Sequence, residues 1–168
     1  GPQARRGRYD AAVGHLAEEN GDLTPMLWGP AADVPALLGP AGAAHMSVLD
    51  FLRWGSWNAA PDEPDPPIVS AETLAELHRP HVRTPVLENP PPGTPQQGEY
   101  AMGWSVITPP WAEEPMLMHN GSNGMNLAKI LVDRERKLSI VVVTNAPGQP
   151  AETAAEQVME QLFARYAQ

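Results

Sequence analysis

Apolar positions fall into clear periods only in the second half of the chain. Ala154, Ala155, Val158, Met159, Leu162, Phe163 and Tyr166 recur at helical spacing and make one stripe, so residues 151 to 166 are predicted to form an amphipathic helix. Pro150 suits its first turn, where a missing N–H costs nothing. Ahead of it the pattern is that of strands: Tyr100 to Ile107, Pro115 to Asn120, Asn126 to Val132 and Leu138 to Thr144. The charged run Asp133-Arg134-Glu135-Arg136-Lys137 reads as the turn joining the last two. Ile140 to Val143 is apolar without alternation, which predicts a strand covered on both faces.

The first hundred residues are punctuated instead by Pro and Gly. Short apolar stretches over residues 8 to 28, with Tyr9 and Leu27 near their ends, flank Asn20-Gly21 and predict a small β-hairpin. Residues 29 to 43 read as a loop. Ser47 with Asp50 three places on marks a helix start, followed by apolar Val48, Leu49, Phe51, Leu52 and Trp54. Pro61, Pro64, Pro66 and Pro67 place residues 58 to 67 in a loop. A second short helix follows, capped by Ser70, with Leu74 and Leu77 inward and Pro80 as its stop. Residues 84 to 98, with Pro90-Pro91-Pro92, form a second Pro-rich loop that lines a cleft or acts as a lid. The chain is thus expected to be one partial domain over 1–168. Loops and short helices fill 1–99, and a sheet with a C-terminal helix fills 100–168.

Composition narrows the chemistry. Apolar residues are 42% of the 168, enough for a core, with 20 Pro and 14 Gly stiffening long loops. The formal net charge of −9 disfavours nucleic-acid and anionic-membrane partners. There is no cysteine, which excludes thiol catalysis, disulfides and Cys-zinc sites. No apolar run is long enough to span a bilayer, and the first residues are too short and polar for a signal peptide.

One stretch carries chemistry: Met118-His119-Asn120-Gly121-Ser122-Asn123-Gly124-Met125-Asn126, at the end of a predicted strand. A His at a sheet rim beside Gly-Ser resembles the third motif of the serine β-lactamase and penicillin-binding-protein superfamily. In its esterase-like branch, His replaces the usual Lys. Pro40 to Phe51, Tyr100 to Trp104 and Leu138 to Asn145 resemble further segments of that branch, in the family's order, so the match covers most of residues 8 to 166.

The resemblance implies an α/β (α+β) fold of the β-lactamase/transpeptidase type, here its C-terminal part: an antiparallel sheet backed by the C-terminal helix, with Pro-rich loops and short helices. It implies acyl-enzyme chemistry without metal or organic cofactor, on an ester, amide, peptide or β-lactam. It makes the Ser122 amide an oxyanion-hole donor and His119 the group beside the nucleophile's hydroxyl, binding a substrate carboxylate or passing a proton. Gly121 would let substrate approach the strand. Asn120 and Asn123 join it as substrate-binding candidates, Asn120 either turned to the other face or bonded locally. A bacterial, periplasmic or secreted origin is also implied.

The sequence departs from the family at two places. Asn126 and Arg134 stand three residues before Lys129 and Lys137, so there is no Ser-x-x-Lys. Tyr9, Tyr100 and Tyr166 are followed two places on by Ala11, Met102 and Gln168, so Tyr-x-Asn is missing too. The simplest expectation is a chain that starts after both motifs and is inactive alone. Its partners would then be a small-molecule or peptide substrate and the missing N-terminal half. The other expectation is a non-catalytic binding or assembly module, associating as a strand-exchanged homodimer.

Other candidates have plainer readings. Ser122 is no nucleophile elbow, since Gly121 adjoins it and a strand follows. His78 and His81 read as surface residues after a helix, not metal ligands, and His45 as structural. Trp54 and Trp104 read as packing. Trp111, among Pro109, Pro110 and acidic residues, reads as an exposed loop tip that touches substrate.

Overall fold

The computed structural model describes residues 12–26, 34–60 and 67–167. A two-stranded hairpin pairs β1 (His15–Ala17) with β2 (Leu23–Pro25). Its turn closes through Glu18 N–H to Asp22 O at 2.9 Å, and Gly21 takes φ +88°, a backbone region that disfavours side chains. This is the hairpin that Asn20-Gly21 predicts; Tyr9, Leu27 and Trp28 lie outside the described residues.

Of the stretch expected to be loop, residues 34 to 43 contain a 3₁₀ turn, Ala36–Leu38, leading into a one-turn helix α1 (Gly39–Gly42). Pro40 favours this because its fixed φ fits a first helical turn. α2 (Val48–Ala59) starts where predicted. Ser47 Oγ accepts from Asp50 N–H at 3.1 Å and donates to the Asp50 carboxylate at 2.7 Å. Those hydrogen bonds, first from Ser47 and then from Arg53, hold the Asp50 carboxyl below its ordinary pKa. The buried side of α2 is not the one its large apolar residues suggest. Gly55, Trp57, Asn58 and Ala59 are buried, whereas Val48, Leu49, Leu52 and Trp54 are exposed. Gly55 decides this: a Cβ there would lie 2.9 Å from the Ser139 side chain, so only glycine lets the helix backbone approach the sheet so closely.

α3 (Ala71–His78) is capped by Ser70, whose hydroxyl accepts from Thr73 N–H, and it buries Leu74 as expected. The main sheet has six antiparallel strands in simple order: β3 (Val82–Arg83), β4 (Glu99–Tyr100), β5 (Ser105–Ile107), β6 (Met116–Ser122), β7 (Leu127–Asp133) and β8 (Leu138–Thr144). The single strand expected over residues 100 to 107 is two strands. Gly103, at φ +84°, turns the chain, and Ala101 N–H bonds Trp104 O at 2.7 Å. The Pro-rich loop between β3 and β4 is pinned by reciprocal bonds between Thr84 and Gly98, and it borders a small apolar pocket with Ile107.

Strand alternation sorts the sheet into two faces. One carries Val106, Leu117, Ile130, Val132 and Val141, packed with Phe51 and Ala59 of α2 and with Trp104. The other carries Met116, Leu131, Ile140 and Val142, packed with Met159, Leu162 and Phe163 of α4 (Gln149–Tyr166). β8 therefore meets helices on both faces, though it ends the sheet and leaves Val143 exposed. Among the described residues no helix is long and apolar enough to cross a membrane.

His78 departs from its expected surface position. It is the last residue of α3 and fully buried, edge-on to Trp104. Its Nε2 lies 2.9 Å from Asn58 Oδ1. Asn58 Nδ2 already donates to Trp54 O, so the imidazole is the donor, and among the described residues its buried Nδ1 has no partner. Burial, and then the positive charge of Arg134, push its pKa down from 6.5 to about 4. Folding thus favours the neutral ring. This contribution is complete above pH 6.5 and is lost as pH falls from there towards 4, because the unfolded chain takes the proton first. At about 1.4 kcal/mol per unit it amounts to at most roughly 3–4 kcal/mol. Urea unfolding at pH 7.5 and 4.5 should show that loss, and a His78→Gln variant should show a shallower pH dependence.

Candidate active site

β6 runs from core to rim. Met116, Leu117 and Met118 are buried, while His119, Asn120, Gly121 and Ser122 are exposed. The change coincides with the end of pairing on one side: β5 covers only Met116–Met118, whereas β7 continues to Ser122. From His119 onward, β6 has one edge with no strand against it among the described residues.

Register divides the motif between the faces. His119 stands opposite Ile130 and Gly121 opposite Ala128, so both lie on the α2 side. Asn120 stands opposite Lys129 and Ser122 opposite Leu127, on the α4 side. Among the described residues the His119 ring makes no hydrogen bond. Gly121 has ordinary extended geometry, and a Cβ built on it would meet nothing within 4 Å among the described residues. Neither backbone strain nor packing in this fold calls for glycine there. Gly124 differs, because at φ +78° the turn itself requires it.

The turn after β6 organises itself. Ser122 Oγ accepts from Gly124 N–H at 3.1 Å. Asn123 Oδ1 accepts from the N–H groups of Met125 and Asn126 at 3.1 and 3.0 Å and from Asn126 Nδ2 at 3.2 Å. The Ser122 hydroxyl and the Asn123 side-chain carbonyl are thus committed to local structure.

Trp111 is not an exposed loop tip. It is half-buried on the α4 face, where it packs on Phe163 with ring centroids 5.0 Å apart. Its indole N–H donates to Glu156 Oε1 at 2.9 Å. The sheet lies between it and the face that carries His119. The flanking prolines and acidic residues suggest exposure, but the indole finds a carboxylate 45 residues away.

The same carboxylate reveals a feature that motif reading misses. Lys129, its side chain only 1% exposed, donates to Glu156 Oε2 at 2.8 Å. A Cβ on Gly93 would fall 1.9 Å from the Glu156 carboxylate, so the Pro-rich loop is closed tightly over the pair. The available signal was a lysine inside the otherwise apolar run Leu127–Val132 and a glutamate beside Ala155 on the helix stripe. Lys129 lies directly across from Asn120, so the ion pair underlies the motif strand. Among the described residues no three His, Asp or Glu gather to hold a metal.

The β-lactamase family model matches residues 1–163, and the chain belongs to that family. Among solved structures, an octameric penicillin-binding protein homologue from Pyrococcus abyssi superposes with a TM-score of 0.68 at 23% identity. The match covers 95% of this chain and 32% of that one, so this chain spans about a third of that structure's length. The fold is accordingly the mixed α and β arrangement of β-lactamases and transpeptidases. No curated protein matches the chain.

Proposed function

We propose that this chain supplies the sheet-edge wall of a serine-hydrolase site acting on an ester, amide, peptide or β-lactam. One observation carries the reading: among the described residues nothing covers Gly121, which lies beside an exposed His119 on the same face and next to a strand edge that none of them pairs. An extended acyl group can lie along such an edge, and glycine gives it the closest approach.

In the proposed reaction, a serine hydroxyl oxygen bonds to the substrate's carbonyl carbon. The tetrahedral oxyanion takes a hydrogen bond from the Ser122 amide, and the bond to the leaving group breaks as that group gains a proton. Water then attacks the acyl-enzyme, releasing the acid and restoring the hydroxyl. His119 either passes the proton or binds a substrate carboxylate. Asn120 and Asn123 border the site from the other face and from the turn. The chemistry uses protein groups alone. The hydroxyl comes from a Ser-x-x-Lys segment that these 168 residues do not contain, so activity belongs to the chain completed by that segment.

The test is hydrolysis of a chromogenic lactam and of nitrophenyl esters by the chain completed with such a segment. Activity should appear on completion, and His119→Ala should lower kcat/KM by about 10²-fold, the usual scale for a general acid–base group. Full activity in His119→Ala would remove His119 from the site.

A second reading, an assembly module without catalysis, is favoured by β8. It ends the sheet, is seven residues long, carries no charge and has no neighbour on its outer edge among the described residues. Such an edge invites strand addition, by the rest of a hydrolase domain or by a second copy. A monodisperse dimer in solution that stays inactive on completion would support it.

A further inference from the structure

The β1–β2 hairpin stands apart from the main sheet in sequence and pairing, yet it is fastened to it at two loops. At the first, the turn after β6, His15 N–H donates to Met125 O at 3.0 Å, while Met26 N–H to Gly14 O at 2.8 Å extends the hairpin's own pairing. The second is the loop after β8. His15 Nδ1 lies 2.9 Å from the main-chain oxygen of Asn145. A carbonyl can only accept, so Nδ1 carries the proton. The 3.4 Å approach of Asn145 Nδ2 to the same Nδ1 therefore sets donor against donor and is not a bond. That amide instead donates to Val13 O at 3.0 Å. His15 and Asn145 thus clasp each other's segments across 130 residues.

The clasp is set against the motif. A Cβ on Gly14 would fall 2.8 Å from Asn126 Nδ2 and 2.9 Å from Met125 Cβ, so the hairpin's entry strand rests directly on the turn that follows Ser122. The same Asn126 side chain bonds Asn123 Oδ1, and the Asn123 carbonyl holds the turn together. A continuous chain of contacts runs from Asn145 through His15, Gly14 and Asn126 to Asn123, next to the amide assigned to the oxyanion.

We propose that His15 and Asn145 are positioning residues: they seat the β1–β2 hairpin on the Asn123–Asn126 turn, and so fix both the end of β6 and the rim that limits which acyl groups enter. The rim claim rests on the hydrolase reading above; the seating claim does not. A displacement of about 1 Å at such a rim is enough to change rates by up to 10²-fold.

The experiment pairs two readouts on Asn145→Ala and His15→Ala, with His15→Gln as the conservative variant, since its amide can still donate. In the chain itself, amide hydrogen exchange at Ser122, Gly124, Met125 and Asn126 should quicken about tenfold in the alanine variants, the scale of one or two ordinary hydrogen bonds, and less in His15→Gln. In the completed hydrolase, the ratio of kcat/KM for acetyl and octanoyl nitrophenyl esters should shift about tenfold in the alanine variants and return towards wild type in His15→Gln. Unchanged exchange at those four amides would overturn the proposal whether or not the completed protein hydrolyses anything. Faster exchange with an unchanged acyl ratio would overturn the rim's role in selection. A completed wild type without hydrolysis would remove the hydrolase reading and the rim claim with it, leaving the seating claim to stand or fall on exchange.

Discussion

Glu156→Ala should lower the stability of the fold by about 3–5 kcal/mol, because it leaves the buried Lys129 ammonium without its carboxylate partner. Lys129 sits on β7 with its side chain almost wholly enclosed, and Glu156 is the acceptor at 2.8 Å. The same truncation frees the Trp111 indole N–H and opens a void beneath Gly93. For a chain of this size the loss corresponds to a melting temperature lower by roughly 6–20 °C. Replacing both charges is a different matter. Lys129→Met with Glu156→Met removes the desolvation cost along with the attraction, and such exchanges are often neutral or better. The double variant should therefore recover most of the loss, short by the roughly 1–3 kcal/mol of an unpaired, partly buried indole. Urea unfolding of the two variants checks this; an Ala variant within 1 kcal/mol of wild type would show the pair to be idle.

That pair also shows what the sequence conveys and what it withholds. Period and caps were legible wherever a segment answers to local rules. α4 follows its apolar stripe, β6 to β8 follow their runs, and α2 and α3 start at Ser47 and Ser70. Misreadings arose where a distant partner decides. α2 turns inward its Gly55 and Asn58, small or polar residues, because close approach to Ser139 and a bond to His78 outweigh the burial of Leu49 and Leu52. His78 and Trp111 look like surface residues until Asn58 and Glu156 are brought to them. Gly103 splits a run of strand-forming residues that periodicity alone would join. At the site, strand alternation already places His119 and Gly121 on one face. The clasp of His15 on Asn145 spans the whole chain and has no local signature.

Gly121→Ala should separate folding from function. An exposed strand glycine with ordinary backbone angles and open space around its Cβ gains from alanine, which restricts the unfolded chain, so stability should hold or rise by about 0.4–1 kcal/mol. The added methyl would stand in the space assigned above to the proposed substrate, on the face of His119 and beside the amide of Ser122. An acyl group held about 1 Å off its attack position loses on the order of 10²-fold in rate.

The most direct measurement is therefore kcat/KM for a nitrophenyl ester alongside thermal unfolding, made on Gly121→Ala in the chain completed with a Ser-x-x-Lys segment. A melting temperature at or above that of wild type, with hydrolysis reduced about 10²-fold, is the predicted result. Undiminished hydrolysis in an equally stable variant would mean that no substrate passes over this strand.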